Sequence, residues 1–393
     1  MVELEFFTSA LDFIQLPIIL ILSMWLVIAT SSSLDCSLIR GMAIYLWHTL
    51  LCLIYFYISL DGSADSVDYY LNSSNVDYIE IGTGFILFIQ NIFTNTFGLN
   101  YMESFLIFNL FGAIGLLFFD SVLRLTTSQS SVLIKFLATL VIFLPSLSFW
   151  TSAIGKDSVS FLAISLFLWG LTSSNTRIYV IISAIILMFP IRPHISAIMI
   201  VSIIPMMFNL STKYILLNIV GLLIVSLVGI QILNILLNYI GLNDGINAEI
   251  LKAYIDTRQE LNTSGGSSLQ LYDMNFLSQL IAFMFRPLPF EIRNFMDLII
   301  SLENSFLLMI FIISLLNLNS LKIKFRKHLS IIIYIVVTWS LLAMTTANLG
   351  IAVRQKWMIL PLLIYLIFFI LNGNTKIKDE AQISSKSLNL ENY

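Results

Sequence analysis

Four short polar segments of this sequence carry basic side chains at the ends of long apolar stretches. They are FWTSAIGKDS at 149–158, FPIRPH at 189–194, FRPLPFEIRN at 285–294 and NLGIAVRQKWMILP at 348–361. A cation at the centre of an apolar membrane layer costs about +2.5 to +3.5 kcal/mol, and less at the edge. Cations recurring at such places predict a shared anionic ligand.

Phosphate is the anion that these segments suit best, because an arginine guanidinium makes two parallel hydrogen bonds to it and never loses its charge. Snorkelling of the cations to lipid headgroups is the alternative. Six basic residues lie in the four segments, and two of them, Arg293 and Lys356, are given no separate role. We expect the other four to bind phosphate oxygens: Lys156, Arg192, Arg286 and Arg354.

Prolines flank two of these arginines. Of the eight prolines in the chain, Pro190 and Pro193 surround Arg192, and two more follow Arg286. Proline ends a helix and leaves carbonyl groups unpaired, which is tolerated at membrane depth only beside protein or water. The pattern predicts broken helix ends at a cavity, although proline also ends a span at the membrane surface.

Three residues in these segments could act as a general base: Asp157, His194 and Glu291. A carboxylate paired with a cation keeps a low pKa and is a poor base unless the substrate withdraws its partner. The acids of an outer loop stay open as further candidates: Asp65, Asp68, Asp77 and Glu80. The three histidines fall on different levels of the membrane, so we expect no metal centre and no cofactor.

The composition places these residues in a membrane protein. The chain has 393 residues, of which 58% are hydrophobic and 11% charged, whereas a soluble domain has about 25% charged residues. This predicts an all-α, polytopic integral membrane protein. The net charge of -3 provides no basic face for nucleic acid.

Eleven apolar stretches are long enough to be candidate spans. They lie near 13–31, 41–60, 103–122, 132–150, 158–173, 177–190, 194–210, 213–238, 295–318, 329–347 and 356–372. Two interrupted stretches, 79–100 and 276–290, read as re-entrant or interfacial helices. If 79–100 crosses fully, the number of spans rises to twelve.

The basic residues set the orientation, because Lys and Arg are depleted from short translocated loops. With the N-terminus outside, twelve of the twenty basic residues fall on one face, including the run KIKFRKH at 322–328, and this face is expected to be cytoplasmic. The acidic N-terminus MVELEFF suggests that the first span is retained as an anchor. We expect one transmembrane domain, 1–375, with outer loops 61–102 and 241–294, and a cytoplasmic polar tail, 376–393.

The strings FWTSAIGKDSVSF, RPH, RPLPFE and NLGIAVRQKWMILP resemble the O-antigen polymerase (Wzy) family. The resemblance implies a protein of the bacterial inner membrane that transfers a growing glycan from undecaprenyl pyrophosphate to the next lipid-linked repeat unit. It implies a periplasmic active site, metal-independent transfer, a chain-length regulator as partner, and a fold similar to C-type glycosyltransferases. Its implied site residues are Lys156, Asp157, Arg192, His194, Arg286 and Arg354. Loop 241–275 is shorter than the family's pattern.

Two alternatives remain. A single-sugar transferase of the same C type, with a polyprenyl monophosphate donor, would place an acid pair in the first outer loop, where Asp65 and Asp68 lie. A flippase for lipid-linked oligosaccharides would favour two similar halves and charges on both sides of the membrane. The basic segments lie on one side of the membrane, which argues against a flippase. The sequence contains no Gly-rich phosphate loop, which argues against a nucleotide-driven pump.

Overall fold

The computed structural model describes residues 12–62, 64–75, 79–172, 177–207, 274–318, 325–346 and 348–372. Five predicted features lie outside the described residues: the acidic N-terminus, the candidate base Asp77, the span 213–238, nearly all of loop 241–275 and the tail 376–393. Residues 322–324 of the basic run lie outside them as well.

The described residues fold almost entirely into α-helices, which we number in chain order. They are α1 (Asp12–Ser33), α2 (Leu38–Ser59), α3 (Asp65–Asn72), α4 (Thr83–Asn91), α5 (Tyr101–Thr126), α6 (Val132–Ile142), α7 (Pro145–Thr151), α8 (Lys156–Thr172), α9 (Ile178–Met188), α10 (Pro193–Met207), α11 (Phe276–Phe285), α12 (Phe295–Leu316), α13 (Phe325–Thr345), α14 (Leu349–Gln355) and α15 (Leu360–Asn372). The all-α prediction is confirmed for this part of the chain.

Six helical segments among the described residues are long and apolar enough to cross a membrane. They are Phe13–Ser33, Leu38–Ser59, Tyr101–Thr126, Val132–Thr151, Phe295–Leu316 and His328–Thr345. The pair α14 and α15, bent by 61°, adds a seventh if it is one span. The protein is therefore a polytopic helical membrane protein.

The predicted number of eleven to twelve spans is not reached within the described residues. The stretches 158–173, 177–190 and 194–210 form helices of 17, 11 and 15 residues, which are shorter than a typical span of about 20 residues. The stretch 79–100 contains α4 and a following π-helix, Ile92–Thr96, and the stretch 276–290 contains α11 and the start of a 3-10 turn, Pro289–Glu291. Their interrupted sequences account for this shortness.

Helix α5 is the centre of the bundle and packs against α1, α2 and α8. Gly115 permits the close approach of α8, since a Cβ atom there would lie 2.9 Å from Phe161 Cδ1 and 3.1 Å from Leu162 Cα. Nearer the start of α5, the buried imidazole of His48 hydrogen bonds to Asn109 Oδ1 at 2.5 Å and to Thr151 Oγ1 at 3.1 Å. This network holds the end of α7, which leads into residues 152–157.

Polar contacts define two opposite ends of the bundle. At one end, the Asp120 end, Arg40 and Arg124 both bind the buried carboxylate of Asp120, at 2.6 and 2.8 Å. At the other end, the hydroxyl of Tyr101 at the start of α5 donates a hydrogen bond to Ser59 at the end of α2, at 2.8 Å. We call this the Asp157 end, after the residue in the first turn of α8. The four basic segments fall at the Asp157 end, on the side opposite to the predicted cytoplasmic face.

Candidate functional site

Asp157 lies at the centre of the candidate site, in the first turn of α8. Its carboxylate accepts a hydrogen bond from Arg192 Nη2 at 2.6 Å and another from Arg354 Nε at 2.9 Å. The Asp157 side chain is only 11% exposed and that of Arg192 only 10%. Three segments far apart in the chain therefore meet at one carboxylate.

Arg354 has a second acidic partner. Its Nη1 donates a hydrogen bond to Asp65 Oδ2 at 2.7 Å, and its guanidinium lies 5.4 Å from the centre of the Trp150 ring. A guanidinium over an aromatic face is stabilised by the negative face of the ring. We call Asp65, Lys156, Asp157, Arg192 and Arg354 the Asp157 cluster.

The proline pattern around Arg192 explains how this arginine is positioned. Helix α9 ends at Met188, and Pro193 is the first residue of α10, where its fixed φ suits a helix start. Between them, the carbonyl of Pro190 accepts a hydrogen bond from Gly82 N at 2.7 Å. Gly82 has φ +85°, a conformation that residues with a Cβ rarely adopt. The turn thus directs Arg192 toward α8.

Asp65 and Arg354 are placed by capping and hydroxyl contacts. Asp65 begins α3, and the next residue, Ser66, hydrogen bonds through Oγ to the Tyr101 hydroxyl at 2.9 Å. Helix α14 begins after Asn348, whose side chain accepts a hydrogen bond from Gly350 N at 2.8 Å, as an N-cap residue does. Arg354 then lies in the last turn of this short helix.

The cluster has more positive than negative charge. Its three cations, Lys156, Arg192 and Arg354, face two carboxylates, which leaves one net positive charge. Within the described part of the chain, Arg192 Nε is buried without a hydrogen-bond partner, and Lys156 makes no ion pair. These donors are available to an anionic ligand.

The pKa values follow from burial and from these charges. Burial alone would raise the pKa of the Asp157 carboxyl, but Arg354 and Arg192 outweigh it and hold that pKa below its usual range. Burial lowers the pKa of Lys156 to about 8, and Arg192 acts in the same direction. Burial also raises the pKa of the Tyr69 hydroxyl to about 12, with Asp157 adding to the effect. Because the two arginines hold the pKa of Asp157 low, its carboxylate is ionised at neutral pH.

Arg286 and Glu291 form a separate pair in the loop between α11 and α12. Arg286 donates to Glu291 Oε1 through Nε at 2.7 Å, and Leu288 N donates to Glu291 Oε2 at 2.8 Å. Burial would raise the pKa of Glu291, but these hydrogen bonds hold it below its usual range. No hydrogen bond or ion pair among the described residues joins this pair to the Asp157 cluster. The structure does not bring all the predicted arginines together.

Lys356 is fully buried and has a structural partner. Its Nζ donates to Asn304 Oδ1, and Asn304 Nδ2 donates to the carbonyl of Pro287 at 3.1 Å. The neighbouring Glu303, also buried, accepts a hydrogen bond from Ser146 N at 2.8 Å, so it faces protein as expected of an acid within a span. Lys356, at the bend between α14 and α15, thus connects this bend to the loop between α11 and α12 that contains Arg286. Its ammonium is not exposed to a ligand.

The histidines lie in three different places. His194 is half-buried in the first turn of α10, two residues beyond Arg192. His48 is in the core, and the ring of His328 lies 4.1 Å from the centre of the Phe369 ring. In the described ranges, no three His, Cys, Asp or Glu side chains are close enough to hold a metal ion.

Two members of the site did not stand out in the sequence. Asp65 was one of several loop acids, and Trp150 was one of many aromatic residues. The only signal for Trp150 was its place in the segment FWTSAIGKDS. Comparison of the chain with protein-family models, curated proteins and solved structures finds no match.

Proposed function

We propose that this protein is a surface-polysaccharide polymerase of the O-antigen type, which transfers a growing glycan from undecaprenyl pyrophosphate to the next lipid-linked repeat unit. One observation carries the proposal: Arg192, from the turn between α9 and α10, and Arg354, from α14, meet at Asp157 beside Lys156, which makes no ion pair among the described residues. A buried group of this kind at one end of a membrane bundle suits the phosphates of a lipid-linked substrate.

In the proposed reaction, a hydroxyl of the incoming unit attacks the anomeric carbon of the polymer. The bond from that carbon to the pyrophosphate oxygen breaks, and the hydroxyl proton passes to a base. Arg192, Arg354 and Lys156 stabilise the departing pyrophosphate, since fixed cations in a site of low dielectric act most strongly on developing charge. Arg286, which is apart from this cluster, is assigned to the second lipid-linked pyrophosphate.

The proposal assigns the base to His194. Asp157 has two arginine partners and Glu291 has one, so both carboxylates hold protons poorly at neutral pH. His194, two residues beyond Arg192 in the first turn of α10, is the remaining candidate, and imidazole is the commonest general base in enzymes. Asp157 then acts as a positioning residue that sets the geometry of the two guanidinium groups.

The finer features of the resemblance belong to the same proposal. They are eleven to twelve spans in a C-type glycosyltransferase-like fold, location in the bacterial inner membrane, a site that faces the periplasm, and a chain-length regulator as partner.

The test replaces Arg192 or Arg354 with Ala in the producing bacterium. We expect surface polysaccharide of single repeat units, without the ladder of longer chains on a gel, because the leaving group loses a cation. Arg177→Ala is the matched control: Arg177 lies at the opposite end, 3.3 Å from the centre of the Trp169 ring, and its variant keeps the ladder. A normal ladder from Arg354→Ala at wild-type protein levels would reject the proposal.

A second candidate has a specific observation in its favour. The contact of Asp65 with Arg354 brings an acid of the first outer loop into the cluster, as expected for a single-sugar transferase with a polyprenyl monophosphate donor. Asp68, the other member of the expected pair, makes no ion pair within the described residues. The same gel separates the two functions, since loss of an earlier transferase abolishes all product.

A further inference from the structure

The two carboxylates of the Asp157 cluster differ in how firmly they are held. Asp157 is 11% exposed and is bound by two arginines. Asp65 is 56% exposed, and its one ion-pair partner among the described residues is Arg354, which binds it through Nη1. An exposed ion pair contributes little to stability, whereas separating a buried pair is strongly unfavourable. Asp65 is therefore the carboxylate that a ligand can replace.

Replacement of Asp65 changes the charge that a ligand meets. With both carboxylates in place, the three cations leave one net positive charge; without Asp65 they leave two. The donor that Arg354 frees adds to the buried Nε of Arg192, which has no partner among the described residues. The cluster thus has two charge states, set by one exposed side chain.

We propose that Asp65 is a displaceable counter-ion that determines which lipid-linked phosphate the cluster binds. With Asp65 on Arg354, the cluster matches the single charge of a phosphate diester. When Asp65 leaves, it matches the double charge of a pyrophosphate diester. The inference rests on the proposed function, whose donor carries a pyrophosphate, and it makes Asp65 a specificity-determining residue.

Binding to the purified full chain in detergent micelles tests this inference. The probes are citronellyl pyrophosphoryl-glucose, which is doubly charged, and citronellyl phosphoryl-glucose, which is singly charged. For Asp65→Asn, we expect affinity for the first probe to rise on the order of tenfold, because a competing and repelling carboxylate is lost. Affinity for the second should rise only about threefold, because its charge is half as large.

Asp68→Asn is the matched control, since Asp68 is exposed on the same helix and makes no ion pair among the described residues. It should change both affinities less than about twofold. Asp65→Ser serves as a second variant, and gel filtration checks that each variant is folded. Equal gains for the two probes, or equal effects of Asp65→Asn and Asp68→Asn, would overturn the inference.

The outcomes for the two proposals are separable. If Arg354→Ala loses the ladder in cells but Asp65→Asn leaves both affinities unchanged, the displaceable counter-ion is rejected and the polymerase stands. If Asp65→Asn shows the tenfold and threefold gains but Arg354→Ala keeps the ladder, the charge selectivity stands and the polymerase is rejected. If the wild-type chain binds neither probe, the inference is rejected.

Discussion

Replacing Asp157 with Ala gives the most direct measure of the charge balance in the cluster. The carboxylate accepts hydrogen bonds at 2.6 Å from Arg192 and at 2.9 Å from Arg354. Its removal leaves two guanidinium groups facing each other, one of them only 10% exposed. We expect a large loss of stability, since the repulsion is in a largely buried site.

The structure allows the magnitude to be worked out. Removing one partner of a buried ion pair costs about 3–5 kcal/mol, whereas Asp65→Ala, at an exposed pair, should cost about 0–1 kcal/mol. For 393 residues, an unfolding entropy of about 2.1 cal/mol/K per residue corresponds to about 0.8 kcal/mol/K. Asp157→Ala should therefore lower Tm by about 4–6 °C, and Asp65→Ala by about 1 °C or less.

The assay is thermal unfolding in detergent micelles, followed by the fluorescence of the six tryptophans. Inorganic pyrophosphate should restore part of the loss in Asp157→Ala, because an anion can take the place of the missing carboxylate. At a concentration of about 100 times Kd, it contributes about 2.7 kcal/mol. Equal Tm values for Asp157→Ala and Asp65→Ala, or no stabilisation by pyrophosphate, would refute the reasoning.

Two further predictions concern the same end of the molecule. Because the pKa of Lys156 is about 8, binding of citronellyl pyrophosphoryl-glucose should weaken as pH rises through about 8, where the ammonium loses its proton. Lys156→Met should remove this pH dependence, and an unchanged profile would contradict the assignment. Gly112→Ala should destabilise the protein by about 1–3 kcal/mol, since a Cβ there would overlap the carbonyl oxygen of Thr151 and lie 2.7 Å from His48 Cε1. A wild-type Tm for this variant would contradict that packing.

Much of the fold could be predicted from composition and pattern. Long apolar stretches with few charges must form helices in a membrane, because every backbone group needs a partner there. The six long spans follow from this rule. The shortness of helices α9 and α10 does not follow from this rule. A break of a few residues around Pro190 and Pro193 separates them, and hydropathy alone does not say whether the apolar stretch on each side of such a break crosses the whole membrane.

The candidate site was predicted in part. Lys156, Asp157, Arg192 and Arg354 lie together as the four segments suggested, but Arg286 pairs with Glu291 in its own loop. Buried Lys356 is bound to Asn304. A basic residue at the end of a span looks the same in the sequence whether it faces a ligand, a carboxylate or the protein core.

By itself, the sequence determined that this chain is a helical membrane protein with six of its twenty basic residues in four segments at the ends of apolar stretches, because hydropathy and charge are properties of the residues alone. Only the tertiary structure decided which charges meet. Asp157 contacts residues 35 and 197 positions away, and Asp65 binds Arg354 across 289 positions. Such contacts depend on how the helices pack around α5, and no local pattern encodes that packing.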